Sequence, residues 1–128
     1  MEIKHNVVGW FEIPVTDMDR AVSFYEAVFD FTLTRAKVGP VDMAWFPGLA
    51  DSIGSSGSLV SMAGQYKPSS DGVLVYFTAF SGDVSNELAL AVVAGGSVLM
   101  PKTLITKEIG YMAIFRDSEG NRIALHTH

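Results

Sequence analysis

The chain has 128 residues, enough for one domain with a real core and too few for two ordinary ones. Hydrophobic residues make up 48% and charged residues 18%, without any low-complexity tract, so the composition folds rather than staying disordered. Against 9 basic residues stand 14 acidic ones with no Lys/Arg cluster, which argues against nucleic acid as a partner; the lack of cysteine excludes disulfides, thiolate nucleophiles and Cys-ligated zinc.

From Val7 to Pro14 apolar and β-branched residues predict a strand, closed by a proline that cannot donate to a sheet ladder. The two-residue period puts Val7, Gly9, Phe11 and Ile13 on one face and Val8, Trp10, Glu12 and Pro14 on the other. Glu12 thus shares a face with Trp10. Thr16 or Asp17 then caps a helix to about Phe29. Met18, Ala21, Val22, Tyr25, Val28 and Phe29 recur there at three- and four-residue spacing, opposite Asp19, Arg20, Ser23 and Glu26. Short strands are predicted over Phe31 to Lys37, Val41 to Phe46 and Ser58 to Met62, the last two separated by the Gly/Ser-rich loop "FPGLADSIGSSG".

"GQYKPSSDG", from Gly64 to Gly72, reads as a surface connection, and after it the order restarts. A strand is predicted over Val73 to Phe80, then a helix capped by Asp83 and running through Ala94, stopped by Gly95 and Gly96. "SVLM", "IGYMAIFR" and "RIALHTH" follow as strands, the last two joined by the turn "DSEGN". Laying Trp10 on Tyr76 carries Asp17 onto Asp83, Val22 onto Leu88 and Leu33 onto Leu99. The order of elements repeats far better than the side chains do. Neither βαβββ unit can bury a sheet face alone, so an α+β domain over 1–128 is expected, with units of about 5–63 and 72–128 and a linker of about 64–71. The units pair within one chain or with counterparts on a second chain.

The chain resembles the vicinal oxygen chelate superfamily of glyoxalase I, bleomycin-resistance proteins and extradiol dioxygenases. The resemblance covers essentially the whole chain. It is carried by "EIPVTDMDRAVSFYEAVF", by "AGG" (Ala94 to Gly96) closing the second helix, and by "FRDSEGNRIALH", which has Ser118 where the family usually has proline. It implies paired βαβββ modules curled into a cupped, partly open sheet around a cavity, often in homodimers. In metal-dependent members it also implies four strands that each give one His or Glu to a divalent cation. Here Trp10 stands at the first of those positions, Leu74 or Tyr76 at another and Ala124 at the last, while the strand Ser58 to Met62 contains no His or Glu at all. The expectation is therefore no metal. A divalent cation would need a displaced site built on Glu12 and His126, each two residues past a usual ligand position and on the same face.

Trp10, Glu12, Trp45, Met62, Tyr76 and His126 are the candidate ligand-binding residues, a mostly apolar set with a few polar tips. Each also has a plainer reading: the aromatics and Met62 as core, Glu12 as a semi-buried acid satisfied by hydrogen bonds, His126 as part of a frayed terminus. Glu12 is the one candidate catalytic group, a proton carrier if it titrates near neutrality. The loop Gly48 to Gly57 reads as a lid or as a mere connector, and "GSSG" lacks the lysine and helix of a phosphate loop. The leading expectation is binding of a small molecule in the cavity, lined partly by Trp10, Glu12, Tyr76 and His126, without a catalytic metal, an acidic protein suiting a cationic ligand. The alternatives are a metal-dependent glyoxalase-like lyase/isomerase or dioxygenase, and a scaffold or regulatory protein. No apolar run approaches the ~20 residues that cross a bilayer, and "MEIKHN" carries no secretion signal, so the cytoplasm is the expected location and no membrane partner is expected.

Overall fold

The computed structural model describes residues 1–128. In chain order the elements are β1 (Phe11–Pro14), α1 (Met18–Phe29), β2 (Thr34–Val38), β3 (Val41–Trp45), β4 (Gly57–Ser61), β5 (Val75–Thr78), α2 (Val84–Val93), β6 (Ser97–Thr106), β7 (Gly110–Arg116) and β8 (Arg122–Thr127). Both helix starts are fixed by an aspartate. Asp17 accepts from the Arg20 amide and Asp83 from the Ser85 amide, each satisfying an N–H that the helix itself cannot. Helix α1 stops at Asp30, which takes a left-handed backbone (φ 54°) and donates its N–H to the Glu26 carbonyl.

The strands form two four-stranded sheets with the same order twice, β1-β4-β3-β2 and β5-β8-β7-β6. β1 runs parallel to β4 and β5 parallel to β8; the other pairs are antiparallel. This is an α+β fold of two βαβββ units whose sheets do not close on each other. In the first sheet Ile13, Leu59 and Ala44 are neighbours across β1, β4 and β3 and point into the helix-packed core. Glu12, Ser58 and Trp45 form the adjacent row and therefore face the other way. In the second sheet Phe77, Leu125 and Ala113 point inward, while Tyr76, Ala124 and Ile114 form one outward row and Thr78, His126 and Met112 the next.

One continuous hydrophobic cluster joins both units, including Ile13, Phe24 and Tyr25 from the first and Val84, Phe115 and Leu125 from the second. Phe77 is the clearest link. Its ring lies 4.9 to 5.9 Å from those of Phe29, Phe46, Phe11 and Tyr25, all from the first unit. The units therefore pair within the chain. A polar latch adds to this pairing. Asp117, at the turn between β7 and β8, accepts from the Tyr25 hydroxyl at 2.6 Å, and Asn121 donates to the Pro14 carbonyl at 2.7 Å. Beside it, Glu119 accepts from Arg20 and from the amides of Thr16 and Asp17. Burial alone would raise the Glu119 pKa, but Arg20, the Asp17 amide and the Ser118 hydroxyl outweigh it and hold the carboxyl at about 2.

Four strands differ from expectation by two residues or more at an end. β1 starts at Phe11 rather than Val7, because its parallel partner β4 starts at Gly57 and offers nothing earlier to pair with. β5 spans only Val75–Thr78 inside the expected 73–80, matching its register with β8. β2 begins at Thr34 rather than Phe31, opposite Trp45, the last residue of β3. β6 runs on to Thr106 instead of ending with "SVLM", pairing with β7 through several register shifts.

Candidate functional site

Glu12 sits on the outward row of β1 and is exposed rather than semi-buried. Its carboxylate is held by two aromatic donors, the Tyr66 hydroxyl at 2.7 Å and the Trp10 indole N–H at 3.4 Å. The hydrogen bond to Glu12, and then its charge, raise the Tyr66 pKa, so the phenol stays a donor. The ion pairs in the structure are Arg20–Glu119, Arg35–Asp19, Arg35–Asp42 and Lys102–Asp83; Glu12 belongs to none of them. It is an un-neutralised acid in an aromatic frame. Sequence reasoning misses Tyr66. It lies in the connection "GQYKPSSDG", 54 residues from its partner, and the only signal is a phenol among small polar residues.

Trp45 lies in the same cross-strand row, with Ser58 between it and Glu12. Ser58 is buried and donates to the backbone carbonyls of Ala44 and Leu59, so it is a floor rather than a reactive hydroxyl. Trp10 and Trp45 remain 46% and 40% exposed. Met62 follows the end of β4 and is partly buried. On the second sheet Tyr76 is 50% exposed and its hydroxyl approaches the Met112 sulfur at 3.9 Å. His126 Nε2 lies 2.7 Å from the Ile109 carbonyl; a carbonyl only accepts, so this nitrogen carries the proton. The His128 ring packs edge-on against it at 5.0 Å. Of the six expected residues, Trp10 and Glu12 touch, Trp45 shares their face, and Tyr76 and His126 turn to partners on the β7 side.

A protein-family model, described as the glyoxalase/bleomycin resistance protein/dioxygenase superfamily, matches residues 7–125. The chain belongs to this superfamily. Solved structures with the same fold include a glyoxalase/bleomycin resistance protein from Albidiferax ferrireducens T118, with a TM-score of 0.70 at 17% identity over 96% of this chain and 100% of that one. A glyoxylase/bleomycin resistance protein/dioxygenase domain from Frankia sp. EAN1pec matches with a TM-score of 0.68 at 18% identity, over 97% and 98% of the two chains. Glyoxalase I from Zea mays matches with a TM-score of 0.67 at 18% identity over 92% of this chain, which spans only 44% of the maize protein. No protein of curated function matches the chain.

The superfamily implies a divalent cation in many members, so the donor set matters. Tyr76, one of the two residues weighed for a usual ligand position, is the direct cross-strand neighbour of Ala124, whose methyl group offers no donor atom. No three His, Asp or Glu side chains group closely enough to hold an ion. Of the pair considered for a displaced site, Glu12 is engaged by Trp10 and Tyr66, and His126 has its protonated Nε2 on Ile109. The residues present do not fit such a metal.

Between the edges of β1 and β5 the two sheets leave a cleft of about 390 Å³. Phe11, Ile13, Val75 and Ile123 give it apolar walls, and Lys67 and Arg122 are among its polar lining.

Proposed function

We propose that the chain binds a small molecule on the outward faces of its sheets, without a catalytic metal, as a single domain that forms homodimers. The units of about 5–63 and 72–128 supply Trp10, Glu12, Trp45, Met62, Tyr76 and His126 as contacts, with Tyr66 added as the residue that orients Glu12. One observation carries this reading: the Glu12 carboxylate, paired with no cation, is framed by Trp10 and Tyr66 in the same row as Trp45, and both tryptophans are exposed. Exposed indoles are costly to leave bare and give large, rigid contact area to a ligand or to a second copy. A carboxylate among them sets orientation by hydrogen bonding. A donor set unsuited to a divalent cation supports binding over metal-assisted chemistry.

Trp10 and Trp45 are the only tryptophans, so fluorescence excited selectively at tryptophan reports on this face alone. Chelator-treated protein titrated with a panel of small aromatic amines, amides and alcohols should show saturable quenching by at least one of them, unchanged when divalent metal is returned. Sedimentation should show a dimer. Quenching or turnover that appears only with added metal would reverse the reading, as would a panel that binds nowhere.

A further inference from the structure

Arg122 opens β8 at the cleft between the sheets, and its Nε is buried without a hydrogen-bond partner. Its one contact is long, from Nη2 to the Gly72 carbonyl at 3.4 Å, and none of the ion pairs includes it. A buried guanidinium N–H with no acceptor is uncommon in folded proteins, because nothing replaces the water it has lost. Lys67 lines the same cleft and is likewise absent from every ion pair. The one carboxylate in the lining, Glu12, already accepts from Tyr66 and Trp10. Those neutral donors hold the carboxylate in place without removing its charge, so the cleft offers two cations against one anion, between walls of Phe11, Ile13, Val75 and Ile123.

We propose that this cleft binds an organic oxyanion, a carboxylate or phosphate monoester on a compact apolar body, with its oxygens on Arg122 and Lys67. The planar guanidinium can offer Nε and a terminal nitrogen side by side to two oxygens after a change of rotamer, while the lysine adds a point charge. The apolar body replaces water against the hydrocarbon walls, and about 390 Å³ lies within the range of small-ligand sites. This goes beyond the function proposed above: the cleft uses the seam between β1 and β5 and neither tryptophan, and it shares only Glu12 with that face.

The test is calorimetric titration of the full chain with phenylacetate, phenyl phosphate, inorganic phosphate and the neutral phenylacetamide. At least one of the two aromatic anions should bind saturably, and which one is tighter tells a carboxylate ligand from a phosphoryl one. Phenylacetamide and inorganic phosphate should each bind about tenfold more weakly or less, one lacking the charge and the other the apolar body. Arg122→Gln should weaken the anion by about tenfold or more, and Arg122→Lys, which keeps charge but not the fork, by less. Lys67→Gln, on an exposed residue, tests the second cation should an Arg122 variant fail to fold. Trp10→Phe with Trp45→Phe should leave the anion affinity unchanged. The proposal is overturned if neither aromatic anion binds, if both Arg122→Gln and Lys67→Gln keep full affinity, or if only the tryptophan variants lose it. The last result would leave the outward-face reading standing.

Discussion

The Tyr25 hydroxyl on α1 donates to Asp117 Oδ2 at 2.6 Å, joining residues 92 positions apart in the chain. Asp117 is buried and also accepts from the amides of Glu119 and Asn121 and from the Asn121 side chain. Those bonds let a carboxylate sit inside the fold at the junction of its two units. Burial, then the charge of Asp117, raise the Tyr25 pKa well above the usual phenol value, so the hydroxyl keeps its proton. Tyr25→Phe removes one of four donors from a buried acid and should cost about 1–3 kcal/mol in urea unfolding with the fold unchanged. A loss within error of zero would mean that water takes over the bond at no cost.

Acid should weaken the same junction through Glu119. Its folded-state pKa is depressed to about 2 from an ordinary 4.5, so the folded state is the poorer proton binder. The resulting stability is fully present above the unfolded pKa and is lost as pH falls from about 4.5 toward 2. Because Arg20 is half exposed, solvent screening trims the contribution to about 1–2 kcal/mol. Glu119→Gln should be less stable than the parent at pH 7, with the gap closing as pH is lowered to 3 and below. Denaturant titrations at both pH values check this, and a gap that widens in acid would contradict it.

Gly57 is required by a neighbour. It pairs with Phe11 across the parallel β1/β4 ladder, and a Cβ there would come within 2.5 Å of the Phe11 ring and carbonyl. Gly57→Ala must push β1 away from β4 or rotate Phe11 out of its contacts with Phe46 and Phe77. The expected cost is about 2 kcal/mol, as for other overpacked sites. Gly9, where an added Cβ would meet nothing within 4 Å, is the control, and Gly9→Ala should move the thermal midpoint very little. Equal midpoints for the two variants would rule out the steric account.

What can be read from sequence are the features set by near neighbours. Asp17 and Asp83 announce their helices because a cap acts within a few residues, and Trp10, one residue before β1, reaches Glu12 from two residues away. The restart of element order after Gly72 is legible in the same way, and it becomes the repeated sheet order. Distant choices are not legible. Tyr66 meets Glu12 only because the connection between units folds back over β1, and nothing local to either residue encodes that. Pro101 and Lys102 look like the end of a strand, yet β6 is an edge strand, where a missing donor and a charge are tolerated and limit pairing with other chains. The cleft cations are invisible for a related reason: that Arg122 lacks a partner is a property of the assembled seam.

Phe77 gives the sharpest measure of how firmly the two units are joined. It comes from β5, yet its ring meets Phe11, Tyr25, Phe29 and Phe46, the closest being Phe29 with centroids 4.9 Å apart. Deleting it leaves a void that four rings from β1, α1 and the end of β3 must share, and rings fixed on separate elements collapse poorly into a hole. Because Phe77 is partly buried, Phe77→Ala should cost about 2–4 kcal/mol, somewhat below the range for a fully buried phenylalanine, while Phe77→Leu should recover more than half of that. If Phe77→Ala costs under about 1 kcal/mol, the aromatic cluster cannot be what holds the sheets together, and the Asp117 latch would have to carry the junction.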